Sequence, residues 1–168
     1  MLNIFLTGEK GIGKSTIIHK IIKRYEYSIG GYTVIPIIRE NFKYFYITSI
    51  NNGIENSLMA IGDINKKKII HIYEDALENF ASKLINSDIN KKEIIILDEI
   101  GFIESQCNNF KTAVMNALDS NKIVLGVLKD FNGDFINKIK KRKDVIIFRV
   151  TKENRNILPE IIYKKISL

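Results

Sequence analysis

GEKGIGKST, residues 8–16, places three glycines and a Lys-Ser pair within nine residues, directly after the apolar run MLNIFL. The segment Gly8-x4-Gly13-Lys14-Ser15 satisfies the pattern G-x-x-x-x-G-K-[ST]. Each residue type has a physical reason. Glycines let the backbone wrap tightly and turn its N–H groups inward without Cβ clashes. A helix start behind the loop adds unpaired N–H groups and the positive end of a dipole, both of which favour an anion. Lys14 supplies a full charge to β- and γ-phosphates, and the Ser15 hydroxyl can join a Mg²⁺ shell. The flanks agree. MLNIFLTG reads as a short strand, and Ile17, Ile18, Ile21, Ile22 and Tyr25 then recur at helical spacing. Strand, loop and helix in that order make Gly8, Glu9, Lys10, Gly11, Ile12, Gly13, Lys14, Ser15 and Thr16 a P-loop, expected to grip a nucleotide.

Residues 32–62 carry three β-branched and aromatic runs, YTVIPII, NFKYFYITSI and ENSLMAIG, and read as an antiparallel meander. Asn52-Gly53 is a hairpin signal, and Pro36 places its strand at an edge or a bulge. From residue 73 the chain alternates. Helical spacing marks Ala76 to Ile85, Phe110 to Leu118, Phe135 to Ile139 and Ile157 to Ile162. EIIILDE, KIVLGVL and DVIIFRVT read as strands, and Pro159 fits only the first turn of its helix. Continuous apolar strands alternating with amphipathic helices imply an α/β fold of three layers around a mainly parallel sheet. One P-loop NTPase domain, 1–168, with an antiparallel β insertion at 32–62 is the expected organisation.

EIIILDEIG, residues 93–101, supplies the second half of the site. Asp98 at the strand tip can hold Mg²⁺ beside Ser15. Glu99 can orient and polarise a water for in-line attack on the γ-phosphorus, with Lys14 stabilising the charge that develops. An acid pair of this kind points to the P-loop division that inserts a strand between the loop strand and the acidic strand. Ile123 to Leu128 is the expected occupant, with Lys129 or Asp130 at its exit near the γ-phosphate. A guanine-reading N-K-x-D motif is absent, since Asn121-Lys122-Ile123-Val124 lacks the aspartate.

The net charge of +7 comes from 26 Lys+Arg against 19 Asp+Glu, and only KIKKRK, residues 138–143, is a dense basic run. That run lacks interleaved aromatics, so nucleic acid is not the expected partner, though the charge leaves it open. One cysteine, Cys107, excludes an internal disulfide. No apolar run reaches the roughly 18–20 residues that span a bilayer, so the expected location is cytoplasmic, without a membrane partner. A monomer is the expected state.

Several motifs in order resemble the nucleoside-triphosphatases described from thermophiles, which have bacterial, archaeal and human cancer-related members. These are NIFLTG with GKST, GGYT, DEIGFIE with the later Phe110, and RKDVIIFRVTKENRN at 142–156. The resemblance covers almost the whole chain. It implies Mg²⁺-dependent hydrolysis of nucleoside triphosphates such as ATP and GTP to diphosphate and phosphate, with broad base tolerance. Asp98, Glu99, Gly101, Glu104, Asn154 and Arg155 match the family's site pattern. Ile100 and Gly101 join the expected nucleotide contacts, as do Arg142 and Arg155, candidates for a charge that completes the phosphate cage. Two stretches depart: a basic residue and then methionine usually follow Gly101, where this chain has Phe102 and Ile103, and acids tend to follow the Tyr-Thr pair, where it has Val34 and Ile35.

The residues also fit a kinase that passes the γ-phosphoryl to a metabolite, or a nucleotide-gated module acting on RNA or protein. The absence of arginine between Lys111 and Lys141 favours hydrolysis over a lid-bearing kinase.

Overall fold

The computed structural model describes residues 2–24 and 26–167; the expected contribution of Tyr25 to the first helix lies outside them. Eight strands form one sheet: β1 (Asn3–Thr7), β2 (Ile29–Arg39), β3 (Phe42–Ser49), β4 (Asn56–Asp63), β5 (Lys68–Ile72), β6 (Ile94–Ile100), β7 (Ile123–Leu128) and β8 (Val145–Arg149). Their order is β5-β4-β3-β2-β6-β7-β1-β8. β1 pairs in parallel with β7 and β8, and β6 in parallel with β7 and β2. The strand from Ile123 to Leu128 therefore lies between the loop strand and the acidic strand, as the Asp-Glu pair implied.

Alternation along the central strands sorts the core. Ile4, Leu6, Ile94 and Ile96 face α1 (Lys14–Ile22) and α5 (Leu158–Ile166). Phe5, Ile95 and Leu97 face α2 (Ser82–Ile89), α3 (Asn108–Asp119) and α4 (Asp134–Lys140). Both faces are covered, giving three layers, and each fully buried side chain of this size contributes about 1.5–3 kcal/mol. Pro159 stands in the first turn of α5, where its missing N–H costs no hydrogen bond.

The antiparallel part differs in detail from the expectation. It has four strands, because Lys68–Ile72 adds β5 at the sheet edge with every residue exposed. Its first hairpin turns at Glu40-Asn41, with Arg39 opposite Phe42. Asn52-Gly53 sits instead in a longer loop between Ser49 and Asn56, where the Gly53 N–H donates to the Ser49 carbonyl at 3.0 Å. β2 is shared: residues 29–32 pair with β6, whereas the stretch with Pro36 pairs only with β3. That single pairing explains why a residue without an N–H is tolerated there. The helix expected from Ala76 begins as a π-helical segment, Ala76–Ala81, before α2.

Candidate active site

β1 ends at Thr7 and the loop follows. Gly8, Gly11 and Gly13 all have positive φ (134°, 80° and 106°), and a Cβ on Gly8 would lie 2.7 Å from the Val150 carbonyl oxygen. Only glycine reconciles that curvature with the approach of the neighbouring chain. Gly13 opens α1, whose first turn carries Lys14 and Ser15. The Lys14 ammonium donates to the Gly8 and Glu9 carbonyls at 2.8 and 2.7 Å, so it lies across the loop. Burial lowers its pKa, with partial compensation from Glu99 and Asp98.

β6 delivers the acids. Ser15 Oγ donates to Asp98 Oδ1 at 3.0 Å, and Thr33 Oγ1 on β2 donates to Oδ2 at 2.9 Å. Asp98 is buried, and burial raises its pKa against those two hydroxyl bonds. Oxygen donors from one serine and one carboxylate suit Mg²⁺, which is held by one or two protein groups plus phosphate oxygens rather than by a cage. No cluster of three or more His, Cys, Asp or Glu able to hold a metal occurs among the described residues. Asp98 and Ser15 would hold the ion.

Glu99 has φ 96°, rare for a side-chain-bearing residue, and the β6–β7 register shifts between Asp98 and Ile100. The bulge re-aims the Glu99 side chain. The buried Tyr32 hydroxyl donates to the Glu99 carbonyl at 2.9 Å and the Lys129 N–H donates to the Ile100 carbonyl at 2.9 Å, pinning the strand on both sides of it. Lys129 Nζ lies 3.1 Å from Glu99 Oε2 and 3.6 Å from Glu104 Oε1. Burial pulls the Lys129 pKa down, but Glu104 and Glu99 together outweigh it and the net shift is upward. Burial likewise raises Glu104, whose Oε2 accepts the Gly101 N–H at 3.0 Å. A Cβ on Gly101 would meet Lys129 Cδ at 2.4 Å, so the glycine leaves room for the lysine stem to cross.

Lys129 therefore provides the cation beside Glu99 that Phe102 does not. Phe102 is 55% exposed and packs edge-on against Phe131. The exit of β7 was the sequence signal for Lys129. Thr33 and Tyr32 were visible only as part of GGYT, without a role.

The remaining expected contacts divide. The Ile100 side chain is core. Arg155 is exposed in the turn after β8, a segment moored to the end of β1 by Val150 N–H donating to Thr7 O at 2.8 Å and shaped by Asn154 accepting the Thr151 N–H. Arg142 is a correction. Its guanidinium pairs with Asp144 at 2.6 Å and Asp119 at 2.7 Å, and Asp144 also accepts from Asn3, the first residue of β1. The length of β1, about 13 Å at ~3.3 Å per residue, separates that end from the loop. Arg142 ties strand and helix ends together at the end of the sheet away from the loop.

A family model described as NTPase matches residues 3–163. The chain belongs to the NTPase family. The nucleoside-triphosphatase THEP1 of Sulfurisphaera tokodaii is 34% identical over 170 residues, covering 98% of this chain and 95% of its own. That of Thermotoga maritima is 32% identical over 160 residues, covering 94% and 91%. The crystal structure of THEP1 from Aquifex aeolicus shares the fold with a TM-score of 0.81 at 20% identity, over 99% of this chain and 100% of its own. The solution structure of a human cancer-related nucleoside triphosphatase gives 0.75 at 25% identity, over 99% and 97%. The resemblance read from DEIGFIE and RKDVIIFRVTKENRN is that of the NTPase family, and its α/β sheet with an inserted strand and an antiparallel part is the one observed.

Proposed function

We propose that the chain is a Mg²⁺-dependent nucleoside-triphosphatase that hydrolyses the triphosphate to diphosphate and phosphate with broad base tolerance. The reading rests on Ser15 and Asp98 meeting at 3.0 Å with Glu99 next along the strand. The loop N–H groups and Lys14 bind the phosphates, and the dipole of α1 adds to their attraction. Bound Mg²⁺ would screen phosphate charge between Ser15 and Asp98. Glu99 orients a water and takes its proton as the oxygen attacks the γ-phosphorus, while the diphosphate leaves in line. Lys129 holds the Glu99 carboxylate in place and adds positive charge on the γ side. Arg155 contacts the nucleotide from the turn after β8. No helix of the described residues is long and apolar enough to cross a membrane.

A steady-state panel of the common nucleoside triphosphates with Mg²⁺ and no added acceptor tests the reading. Diphosphate and inorganic phosphate in equal amounts from several bases support it; no phosphate release from any of them refutes it.

A further inference from the structure

The cavity that contains the loop continues past it. Its volume is about 640 Å³, and its far walls are Val34, Pro36, Phe45, Met59, Ile69 and Ile103. Strand geometry builds those walls. Alternate residues share a face, so Val34 and Pro36 of β2 lie on the same side as Lys43 and Phe45 of β3. The β3–β4 register pairs Phe45 with Ala60 and Tyr46 with Leu58, leaving Met59 as an extra residue in a bulge that turns toward the cavity. Lys43 adds an ammonium beside these apolar side chains, 5.3 Å from the centre of the Phe45 ring, and Glu99, Lys129 and Asp130 also line the cavity.

Sheet order places this chamber. Counting outward from the loop strand β1, the strands are β7, β6 with Asp98 and Glu99, then β2, β3 and β4. A triphosphate whose γ end meets Lys14, Asp98 and Glu99 has its leaving diphosphate on the loop side. Strands β2, β3 and β4 put the chamber beyond Glu99 as seen from the loop strand, the side on which an in-line nucleophile would stand with the leaving diphosphate over the loop. A water needs no apolar room of this size. Sites for small organic molecules span roughly 300–1,000 Å³ and pair apolar walls with a few placed polar groups, as this one does.

We infer that the chamber binds a second substrate, a small organic anion with an aromatic or branched apolar body and a hydroxyl, which accepts the γ-phosphoryl group in place of water. The inference rests on the nucleoside-triphosphatase reading of the same site. The acceptor's hydroxyl oxygen bonds to the γ-phosphorus, and the bond from that phosphorus to the β–γ bridging oxygen breaks. The diphosphate departs with the electron pair, and the hydroxyl proton passes to Glu99. The apolar body packs on Phe45 and Met59, and the anionic group pairs with Lys43. Hydrolysis is then the reaction of the same site when the chamber holds only water.

The test uses the full chain with Mg²⁺, ATP radiolabelled at the γ-phosphate, and tropate, a phenyl ring bearing one primary hydroxyl and one carboxylate. Saturable tropate binding, a labelled tropate phosphoester and reduced release of free phosphate are expected, with glycerol giving no ester. Val34→Trp fills the chamber and should weaken tropate binding by about tenfold or more. Lys43→Glu reverses the charge offered to the carboxylate and should weaken binding several-fold. Normal ATP hydrolysis without saturable tropate binding overturns the inference and leaves the hydrolase reading standing. Binding that slows phosphate release without ester formation keeps the site and overturns its acceptor role. Equal transfer to glycerol overturns the apolar selection. Failure of the chain to release phosphate from ATP alone overturns the underlying reading instead.

Discussion

Ser15 Oγ and Asp98 Oδ1 are 3.0 Å apart although 83 positions separate them in sequence. Parallel pairing of β1 and β6 on either side of β7 brings the two strand ends together. The hydroxyl and the carboxylate are oxygen donors at the start of a helix and the end of a strand, a pair that would suit a phosphate-bound Mg²⁺. Asp98→Asn should therefore abolish the tightening of nucleotide binding by Mg²⁺ while leaving metal-free binding largely intact. Calorimetric titration of a nonhydrolysable triphosphate with and without Mg²⁺ checks this, and an undiminished Mg²⁺ effect in the variant would count against the assignment.

Lys129 restrains Glu99 across 3.1 Å, in a strand already strained at φ 96°. Removing the ammonium frees the carboxylate without touching the loop. Lys129→Met should lower kcat by about 10–100-fold with little change in KM, and Lys129→Arg should restore part of it. A rise in KM with unchanged kcat would show instead that Lys129 only binds nucleotide.

Burial sets Glu104 above the ordinary glutamate value of 4.5. The folded chain then holds that proton more tightly than the unfolded chain. Its contribution to stability is fully present below pH 4.5 and is lost as pH rises through the folded pKa. Glu104→Gln removes this dependence. Wild type should thus be more stable relative to Glu104→Gln at about pH 4.5 than at about pH 7.5, as measured by denaturant unfolding of both proteins at each pH. The opposite trend would mean that the Lys129 pair, not burial, controls the group.

Arg142 makes ion pairs with Asp119 and Asp144 at the end of the sheet away from the loop. Arg142→Ala should lower the melting temperature while kcat/KM stays within about twofold of wild type. A selective loss of kcat/KM would return Arg142 to the phosphate site.

Much of this arrangement was legible in the residues. The alternation of EIIILDE, KIVLGVL and DVIIFRVT with spaced apolar helices implied a covered parallel sheet, and Glu99 beside Asp98 implied the strand that β7 supplies. What stayed hidden depends on three-dimensional context. β5 is an edge strand with all five residues exposed, so no inside–outside alternation marks it behind Lys66 and Lys67. Arg142 matched a family motif, but which end of the sheet it occupies depends on where α4 delivers the chain to β8. Thr33 reaches Asp98 from a strand far away in sequence and has no local pattern that announces its partner, whereas the exit of β7 pointed to Lys129 or Asp130 but not to the pairing of Lys129 with Glu99 and Glu104. The positive φ of Glu99 arises from a bulge between two strands, which one strand's sequence does not specify.

Glu99→Gln tests the central claim most directly, because it removes the proton acceptor at nearly constant shape. Binding of the Mg²⁺-nucleotide should persist while turnover falls by about 10²–10⁴-fold. Turnover at the wild-type rate in a variant that binds nucleotide normally would contradict the account.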